Sequence, residues 1–233
     1  MSHPMLVVEN LEKTFTLHTQ GGTVLPVLRQ VTLAVHGGEC VALHGPSGAG
    51  KSSLLRCLYG NYLPQAGRIL VAHDGQTVDI VTATPHTILD IRRRTMGHVS
   101  QFLRAIPRVP AIDIVAEPLR AVGVAAAPAR ERAAALLTRL HIPERMWQLA
   151  PATFSGGEQQ RVNIARGFAL DFPILLLDEP TAALDAGNRQ VVVDLILEAR
   201  QRGAAIVGIF HDREVREAAA DRAFEMAAYA AAA

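Results

Sequence analysis

The sequence is poor in the residues on which several common kinds of site depend. Its 233 residues include only two cysteines, Cys40 and Cys57, and a single tryptophan. The two cysteines fall in an expected buried strand and an expected helix, so we expect small buried side chains and neither a disulfide nor a metal pair. The sequence also contains no Cys/His spacing typical of a metal site.

Charge and hydropathy exclude further classes of protein. The formal net charge of +1 gives no overall attraction to nucleic acid or anionic lipid. The longest uncharged apolar stretches, such as residues 203–210, have the length of a strand and not the ~20 residues of a membrane-spanning helix. The N-terminus shows no basic flank followed by an apolar segment, so no secretory signal is predicted. We expect a cytoplasmic protein that binds no nucleic acid and does not insert into a membrane.

Residues 45–52 form a glycine-rich loop, Gly-Pro-Ser-Gly-Ala-Gly-Lys-Ser, between an apolar run and a helical pattern. Its glycines allow backbone N–H groups to turn inward toward an anion, and the helix beginning near Lys51 adds its positive end. Lys51 is one of two lysines among 23 basic residues, and its compact ammonium suits a phosphate site. Ser52 would bind Mg²⁺. The pattern predicts an ATP or GTP site; the alternative is a glycine-rich turn without a ligand. The candidate phosphate-binding residues are Gly45, Pro46, Ser47, Gly48, Ala49, Gly50, Lys51, Ser52 and Ser53.

A second motif is the apolar run 174–177, which ends in Asp178 and Glu179. A continuous apolar run predicts a strand buried on both faces of a parallel sheet, and ligands of such sheets bind at the carboxyl ends of the strands. Asp178 would hold Mg²⁺ through its water shell, and Glu179 would polarise the water that attacks the γ-phosphate. The alternative for one such carboxylate is a helix N-cap.

A third motif, Ser155-Gly156-Gly157-Glu158, lies between the other two. Ser155 and Glu158 have the spacing of a capping box, and Gly156 and Gly157 leave backbone N–H groups open to an anion. One interpretation is simply a well-capped helix. Its place just before the carboxylate strand favours a role in the nucleotide site.

The order of elements predicts an α/β chain with an inserted helical segment. Four β-branched runs indicate an antiparallel layer: residues 6–9, 31–35, 68–71 and 78–81. Residues 111–149 then show helical spacing, after which strands and helices alternate. Arg92–Arg94 is expected on the solvated face of a helix, with contact to a partner as the alternative, and residues 227–233 are expected to form a frayed tail. Trp147 would lie either in the core of the helical segment or on a partner surface.

Together these motifs resemble the ATPase domains of ATP-binding cassette (ABC) proteins over nearly the whole chain. The resemblance implies a P-loop NTPase core of the RecA-like α/β class, with an N-terminal antiparallel β layer and an inserted helical lobe. It implies one domain over residues 1–233. About 1–100 and 166–233 would form the nucleotide-binding core, and about 101–165 the helical lobe with the signature motif.

The same resemblance implies a role for each motif. The loop 45–52 would be Walker A, Ser155 to Glu158 would lie in the signature motif, and Asp178 with Glu179 would end the Walker B strand. Gln101 matches the Q-loop, Asp185 the D-loop, and His211 the switch histidine that contacts the γ-phosphate. Phe15 matches the aromatic that stacks on adenine, although an aromatic here is equally typical of a core. The implied cofactors are ATP and Mg²⁺. The implied catalytic residues are Glu179, His211 and Gln101, and the implied metal-binding residues are Ser52, Gln101 and Asp178.

In that family two ATPase domains pack head to tail, so that ATP held by Lys51 and Ser52 of one domain is covered by Ser155 and Gly157 of the other. The resemblance therefore implies a partner, which is either a second copy of this chain or a related ABC-type ATPase subunit.

Three stretches resemble more specifically the PhnL family, the ABC-type subunits of the bacterial carbon-phosphorus lyase system that breaks down phosphonates: residues 58–64, 99–108 and 142–151. This resemblance implies docking on a soluble phosphonate-processing enzyme core and an association with the synthesis of ribose 1-methylphosphonate 5-triphosphate. The alternative is the ATPase subunit of a lipoprotein-releasing or macrolide exporter, in which residues 102–109 would line a groove for a membrane subunit. A DNA-repair ATPase is disfavoured, because the sequence has no coiled-coil insertion, zinc cysteines or basic surface.

Overall fold

Two sheets and a set of helices make up the chain, and the computed structural model describes residues 3–17, 21–103 and 107–229. The strands are Pro4–Leu17 (β1), Thr23–His36 (β2), Cys40–His44 (β3), Ala66–His73 (β4), Gln76–Asp79 (β5), Met96–Val99 (β6), Ile174–Asp178 (β7), Ala205–Ile209 (β8) and Arg222–Glu225 (β9). The helices are Lys51–Leu58 (α1), Pro85–Arg94 (α2), Ala111–Ala121 (α3), Ala126–Arg139 (α4), Gly156–Gly167 (α5), Ala186–Gln201 (α6) and Arg213–Ala219 (α7). Short 3₁₀ turns cover Glu144–Met146, Pro151–Thr153 and Met226–Tyr229.

The first sheet is antiparallel, with the strand order β2-β1-β4-β5. It confirms the layer predicted from the four β-branched runs. Strand β1 is longer than the run that predicted it, because it continues past register shifts between Val8 and Lys13. Asn10, within this irregular stretch, has a φ of 48°, a left-handed conformation that a bulge accommodates. The extension places Phe15 on the strand.

The second sheet is parallel, with the strand order β6-β7-β8-β3-β9. Strand β9 was not predicted. Among the described residues it pairs with β3 alone, at the edge of the sheet, and its residues are mostly exposed, so it lacks the apolar run of a central strand. Helices α3, α4 and α5 lie in the chain between β6 and β7, which are neighbours in the sheet. The helical segment is therefore an insertion between two paired strands, and its boundaries at about residues 101 and 165 remain a prediction.

Successive residues of β7 face opposite sides of the parallel sheet. Leu175 and Leu177 belong to a hydrophobic cluster with helices α3 to α7, whereas Ile174 and Leu176 pack in a second cluster with the antiparallel sheet and α1. Every residue of β7 is buried. This confirms the prediction of a strand buried on both faces, and it fixes Asp178 at the carboxyl end of a rigid central strand.

The cysteines and Trp147 are part of the core. Cys40 and Cys57 are free and buried, as predicted, and burial raises the pKa of their thiols to about 12 and about 11. Trp147 is partly buried, packs against the cluster of the helical segment, and donates from Nε1 to the carbonyl of Ile142 at 2.9 Å. The structure thus places Trp147 within its own lobe.

Two expectations are corrected by the structure. Within Arg92–Arg94 only Arg93 is largely exposed, because Arg92 donates to the carbonyl of Tyr59 and Arg94 pairs with two aspartates, Asp74 and Asp90. The expected frayed tail does not begin at residue 227: the turn Met226–Tyr229 is ordered, since Met226 is fully buried and the Tyr229 ring stacks on Phe224 with centroids 5.2 Å apart. Residues 230–233 of the expected tail lie outside the described ranges.

Candidate functional site

The glycine-rich loop joins β3 to α1 at the carboxyl edge of the parallel sheet. Gly45, Gly48 and Gly50 have φ values of 146°, 83° and 85°, which confirms the predicted left-handed glycines. At Gly50 a side chain is excluded by packing as well, because a Cβ atom would lie 2.8 Å from Cδ2 of Leu28. Lys51 is the first residue of α1, and its ammonium donates to the carbonyls of Gly45 (2.7 Å) and Pro46 (2.8 Å). The ammonium therefore lies over the loop, where phosphates would bind.

Ser52 and Asp178 meet behind the loop. The Ser52 hydroxyl donates to Oδ1 of Asp178 at 3.3 Å. Asp178 is only 5% exposed, and burial, followed by the neighbouring charge of Glu179, raises the pKa of its carboxyl above the usual range. A hydroxyl and a buried carboxylate are oxygen ligands of the kind that Mg²⁺ prefers, and a cation would relieve the cost of burying this charge. The donor set of Ser52 and Asp178 therefore fits Mg²⁺.

Two side chains from distant parts of the chain contact the carboxylate of Glu179. Nε2 of Gln101 donates to one carboxylate oxygen at 3.2 Å, and Nε2 of His211 lies 2.7 Å from the other. Glu179 has a φ of 52°, an uncommon conformation for a residue with a side chain, and its N–H donates to the carbonyl of Ile209. The structure thus brings together all three predicted catalytic residues at the end of β7, next to Asp178.

The third motif begins helix α5. The Ser155 hydroxyl accepts from the N–H of Glu158, and Glu158 accepts from the N–H of Ser155, so the predicted capping box is confirmed. The hydrogen bond that the Ser155 hydroxyl donates to the Glu158 carboxylate, followed by the one from the Ser155 N–H, holds the pKa of this carboxyl below its usual range. Gly157 is packed so that a Cβ atom would lie 3.0 Å from the carbonyl of Ala183. Within the described residues, every hydrogen bond of Ser155 stays inside this turn, so the structure does not join the motif to the glycine-rich loop.

Asp185 caps helix α6. Its carboxylate accepts from the backbone N–H and the side-chain amide of Asn188, both at 2.8 Å, and the backbone hydrogen bond in particular lowers the pKa of Asp185. Asn188 in turn lies 3.0 Å from the ring of His141. The structure therefore shows a capping role, and the D-loop role of Asp185 in the nucleotide site remains a prediction.

Phe15 is partly buried on β1 and belongs to a cluster that sequence reasoning did not find. The Tyr62 ring meets it in a T-shaped contact at 5.1 Å, and the Lys13 ammonium lies over it at 4.8 Å from the centroid. The Tyr62 hydroxyl accepts from Arg56 of α1 at 2.8 Å. The one signal in the sequence was that Lys13 is the second of the two lysines.

A groove separates the β6 edge of the parallel sheet from the inserted helices. It is about 450 Å³ in volume, and residues that line it include Leu89, Arg93, Pro118 and Phe172. A neighbouring cavity of about 290 Å³ reaches Gln101 and Asp178 and is also lined by Phe102, whose side chain is exposed. Residues 102–109 were expected to line a docking groove for a membrane subunit. Residues 104–106 of this stretch lie outside the described ranges. None of the helices in the part of the chain that the structure describes is long and apolar enough to cross a bilayer.

Comparisons with known proteins agree with this geometry. The model of the family described as ABC transporter matches residues 28–182, which include the glycine-rich loop and the carboxylate strand. The Macrolide export ATP-binding/permease protein MacB of Brucella melitensis is 40% identical over 223 residues, which cover 96% of this chain and 33% of MacB. The Lipoprotein-releasing system ATP-binding protein LolD of Hyphomonas neptunium is 39% identical over 213 residues, which cover 91% of this chain and 90% of LolD. The chain thus spans about a third of the length of MacB and nearly the whole of LolD.

Among solved structures, the ATP-binding cassette MJ0796 in a dimeric post-hydrolysis state bound to ADP and Pi superposes with a TM-score of 0.85. It is 29% identical in sequence, and the match covers 96% of this chain and 95% of that one. The predicted fold class, a P-loop NTPase core with an antiparallel layer and inserted helices, is confirmed by this match.

Proposed function

Because this chain belongs to the ABC transporter ATPase family, we propose that it is an ATPase subunit in which Glu179 activates the attacking water and Lys51, Ser52 and Asp178 hold Mg²⁺ and the phosphates of ATP. The observation that carries the proposal is the meeting of Gln101 and His211 on the two oxygens of Glu179, beside the buried pair of Ser52 and Asp178.

Each residue of the site would have a role in ATP hydrolysis that follows from its position. Bound Mg²⁺ would neutralise charge on the β- and γ-phosphates. Lys51, freed from the carbonyls of the loop, would reach the same phosphates as a point charge, and the loop N–H groups would accept the anion. The carboxylate of Glu179 would take the proton of the attacking water. Gln101 and His211 fix the direction of that carboxylate and would orient the water and the γ-phosphate.

Two cassettes would act together. In this chain Ser155 caps helix α5, and the backbone N–H groups of Gly156 and Gly157 lie at the positive end of that helix, where they would bind the phosphates of a nucleotide held by another subunit. The MJ0796 cassette forms a dimer in its structures. Either a second copy of this chain or a related ATPase subunit would complete the site.

For the process that the ATPase drives, the named relatives favour export. MacB is named as a macrolide export protein and LolD as part of a lipoprotein-releasing system. A motor of this kind needs a groove for a cytosolic segment of its membrane subunit. The groove between β6 and the inserted helices, with the exposed Phe102 at its neighbouring cavity, suits that purpose. We therefore propose coupling to an exporter as the first candidate.

The carbon-phosphorus lyase system is the second candidate, and it rests on the three stretches that resemble the PhnL family. One of them, residues 58–64, contributes Tyr62 to the cluster around Phe15 and Tyr59 to the groove. In this case the partner would be a soluble enzyme core for phosphonate breakdown.

Three measurements test these proposals. Purified protein should release phosphate from ATP only when Mg²⁺ is present. If neither the chain alone nor the chain copurified with its partner shows that activity, the ATPase proposal is wrong.

An export motor should copurify with an integral membrane protein after detergent extraction. A deletion strain that no longer grows on methylphosphonate as its sole phosphorus source, together with a protein recovered in a detergent-free soluble complex, would favour the second candidate.

A further inference from the structure

We propose that Lys13 and Tyr62 are positioning residues that hold the ring of Phe15 as the stacking platform for the adenine of ATP. The inference rests on the proposed function and on the adenine-stacking role that the family resemblance implies for Phe15. It adds two residues from outside the motifs, and it gives the second lysine of the chain a role in the same site as the first.

The Lys13 ammonium is placed unusually for a surface cation. The residue is only 8% exposed, and its Nζ donates to the carbonyl of Leu63 at 2.8 Å. Within the described ranges it forms no ion pair with a carboxylate. A buried ammonium without a carboxylate is costly unless other groups compensate its charge. Here the Leu63 carbonyl compensates part of the charge, and two aromatic rings add to it: the ammonium lies 4.8 Å from the centroid of Phe15 and 5.9 Å from that of Tyr62.

The two rings are fixed relative to each other and to the phosphate site. Phe15 and Tyr62 meet edge to face, with an interplanar angle of 78°. The Tyr62 hydroxyl accepts from Arg56, which lies on the helix that Lys51 begins. Strand β1 reaches the same place from the other side, since Lys13 pairs with Leu28 of β2, and Leu28 is the residue against which Gly50 packs. The position of the Phe15 ring is therefore tied to the glycine-rich loop through both neighbours.

This arrangement holds the Phe15 ring in place before a ligand binds. The ammonium takes one face of Phe15 and the Tyr62 ring makes an edge-to-face contact, while Phe15 as a whole remains only partly buried. The ring is thus held in place before a base arrives, and a platform that is already ordered loses less conformational entropy on binding. A purine that stacks on the open part of the ring would find it at a fixed distance from the phosphate loop.

The test separates the base from the phosphates by comparing ADP with pyrophosphate. Lys13→Gln removes the charge but keeps a donor for the Leu63 carbonyl, and Lys13→Arg keeps a cation that can lie over a ring. Affinities are measured by titration calorimetry for ADP and by competition for pyrophosphate. We expect Lys13→Gln to weaken ADP binding about tenfold, with pyrophosphate binding unchanged within about twofold, and Lys13→Arg to keep ADP affinity within about threefold of the wild type.

A double-mutant cycle with Phe15→Leu tests whether Lys13 acts through the ring. Once the ring is absent, Lys13→Gln should cause no further loss of ADP affinity. Additive losses, an equal loss for ADP and pyrophosphate, or an unchanged ADP affinity in folded Lys13→Gln would each overturn the inference. If Lys13→Gln does not fold, Tyr62→Leu tests the same inference, because it too should weaken ADP binding and leave pyrophosphate binding unchanged. Failure of the wild type itself to bind ADP would instead reject the proposed function.

Discussion

The imidazole of His211 lies 2.7 Å from Oε1 of Glu179, although 32 residues separate them in the chain. The other oxygen of the same carboxylate accepts from Gln101 at 3.2 Å. His211 is largely exposed, whereas Glu179 is only 18% exposed, so the carboxylate is held inside the site and the imidazole closes over it from the solvent side. A carboxylate held at both oxygens has a fixed direction, which a general base needs in order to reach the proton of the attacking water.

The first prediction concerns this carboxylate. Glu179→Gln keeps the shape of the side chain but removes its ability to accept the proton of water. We expect ATP hydrolysis to fall by about a hundredfold or more while ATP binding persists. Phosphate release and nucleotide titration measure the two effects separately. Glu217→Gln, on the exposed helix α7, is the matched control and should hydrolyse ATP at the wild-type rate. Normal hydrolysis in Glu179→Gln would mean that another residue positions the water.

The second prediction concerns Lys51. Lys51→Ala removes the ammonium that lies over the loop, and nucleotide affinity should fall by about a hundredfold or more, because the phosphates lose their charged partner. A fluorescent ATP analogue measures the affinity, and the melting temperature shows whether the variant is folded. Arg132→Ala, on the exposed side of α4, removes an equal charge and should bind as the wild type does. Wild-type affinity in folded Lys51→Ala would rule out the loop as the phosphate site.

The third prediction follows from the buried Asp178. Its folded-state pKa is raised, chiefly by burial, so the folded protein binds this proton more tightly than the unfolded chain does. The contribution of Asp178 to stability therefore falls as pH rises from the ordinary carboxyl range through the raised pKa, and above that window the cost is complete. Asp178→Asn should accordingly be more stable than the wild type at neutral pH without Mg²⁺, since the Asn oxygen still accepts from Ser52.

The same variant should respond oppositely to the cofactor. Wild-type protein gains stability from ATP with Mg²⁺, whereas Asp178→Asn should lose most of the Mg²⁺-dependent part of that gain. Thermal unfolding across a pH series, with and without Mg²⁺ and ATP, measures both effects. A variant that is less stable than the wild type in Mg²⁺-free buffer would contradict the assigned cost of burying this charge.

The parts of the site that could be predicted from sequence are those that depend on interactions between residues close together in the chain. The positive φ values of Gly45 and Gly50, the buried strand before Asp178 and the capping box of Ser155 are each encoded within a few neighbouring residues. Each pattern also had a purely structural alternative. Residue spacing could not decide between that structural alternative and a nucleotide site. The family match and the hydrogen bond between Ser52 and Asp178 favour the nucleotide site.

The parts that depend on distant contacts could not be read in this way. A lone Gln101 or His211 carries no local pattern, and only the resemblance to ABC ATPases marks either residue as catalytic. The cluster of Lys13 and Tyr62 around Phe15 is formed by packing between β1 and the segment after α1, so the rarity of lysine marks Lys13 but no local pattern connects it with Tyr62 or Phe15. Strand β9 was missed because an edge strand lacks the apolar run that marks a central one.

The last prediction separates the two roles of Ser155. Aspartate is also a good N-cap, so Ser155→Asp should keep helix α5, but its carboxylate lies beside that of Glu158 and should lower the melting temperature modestly. Ser155→Ala, which loses the cap, should cost about 1 kcal/mol of stability. If Ser155 also faces the γ-phosphate of a nucleotide on another subunit, the aspartate places a negative charge against it, and ATP-dependent association with the partner cassette should be lost. Sedimentation of the Glu179→Gln background with ATP, with and without Ser155→Asp, measures this directly. Association that survives in a folded Ser155→Asp protein would leave the capping box as the whole role of this serine.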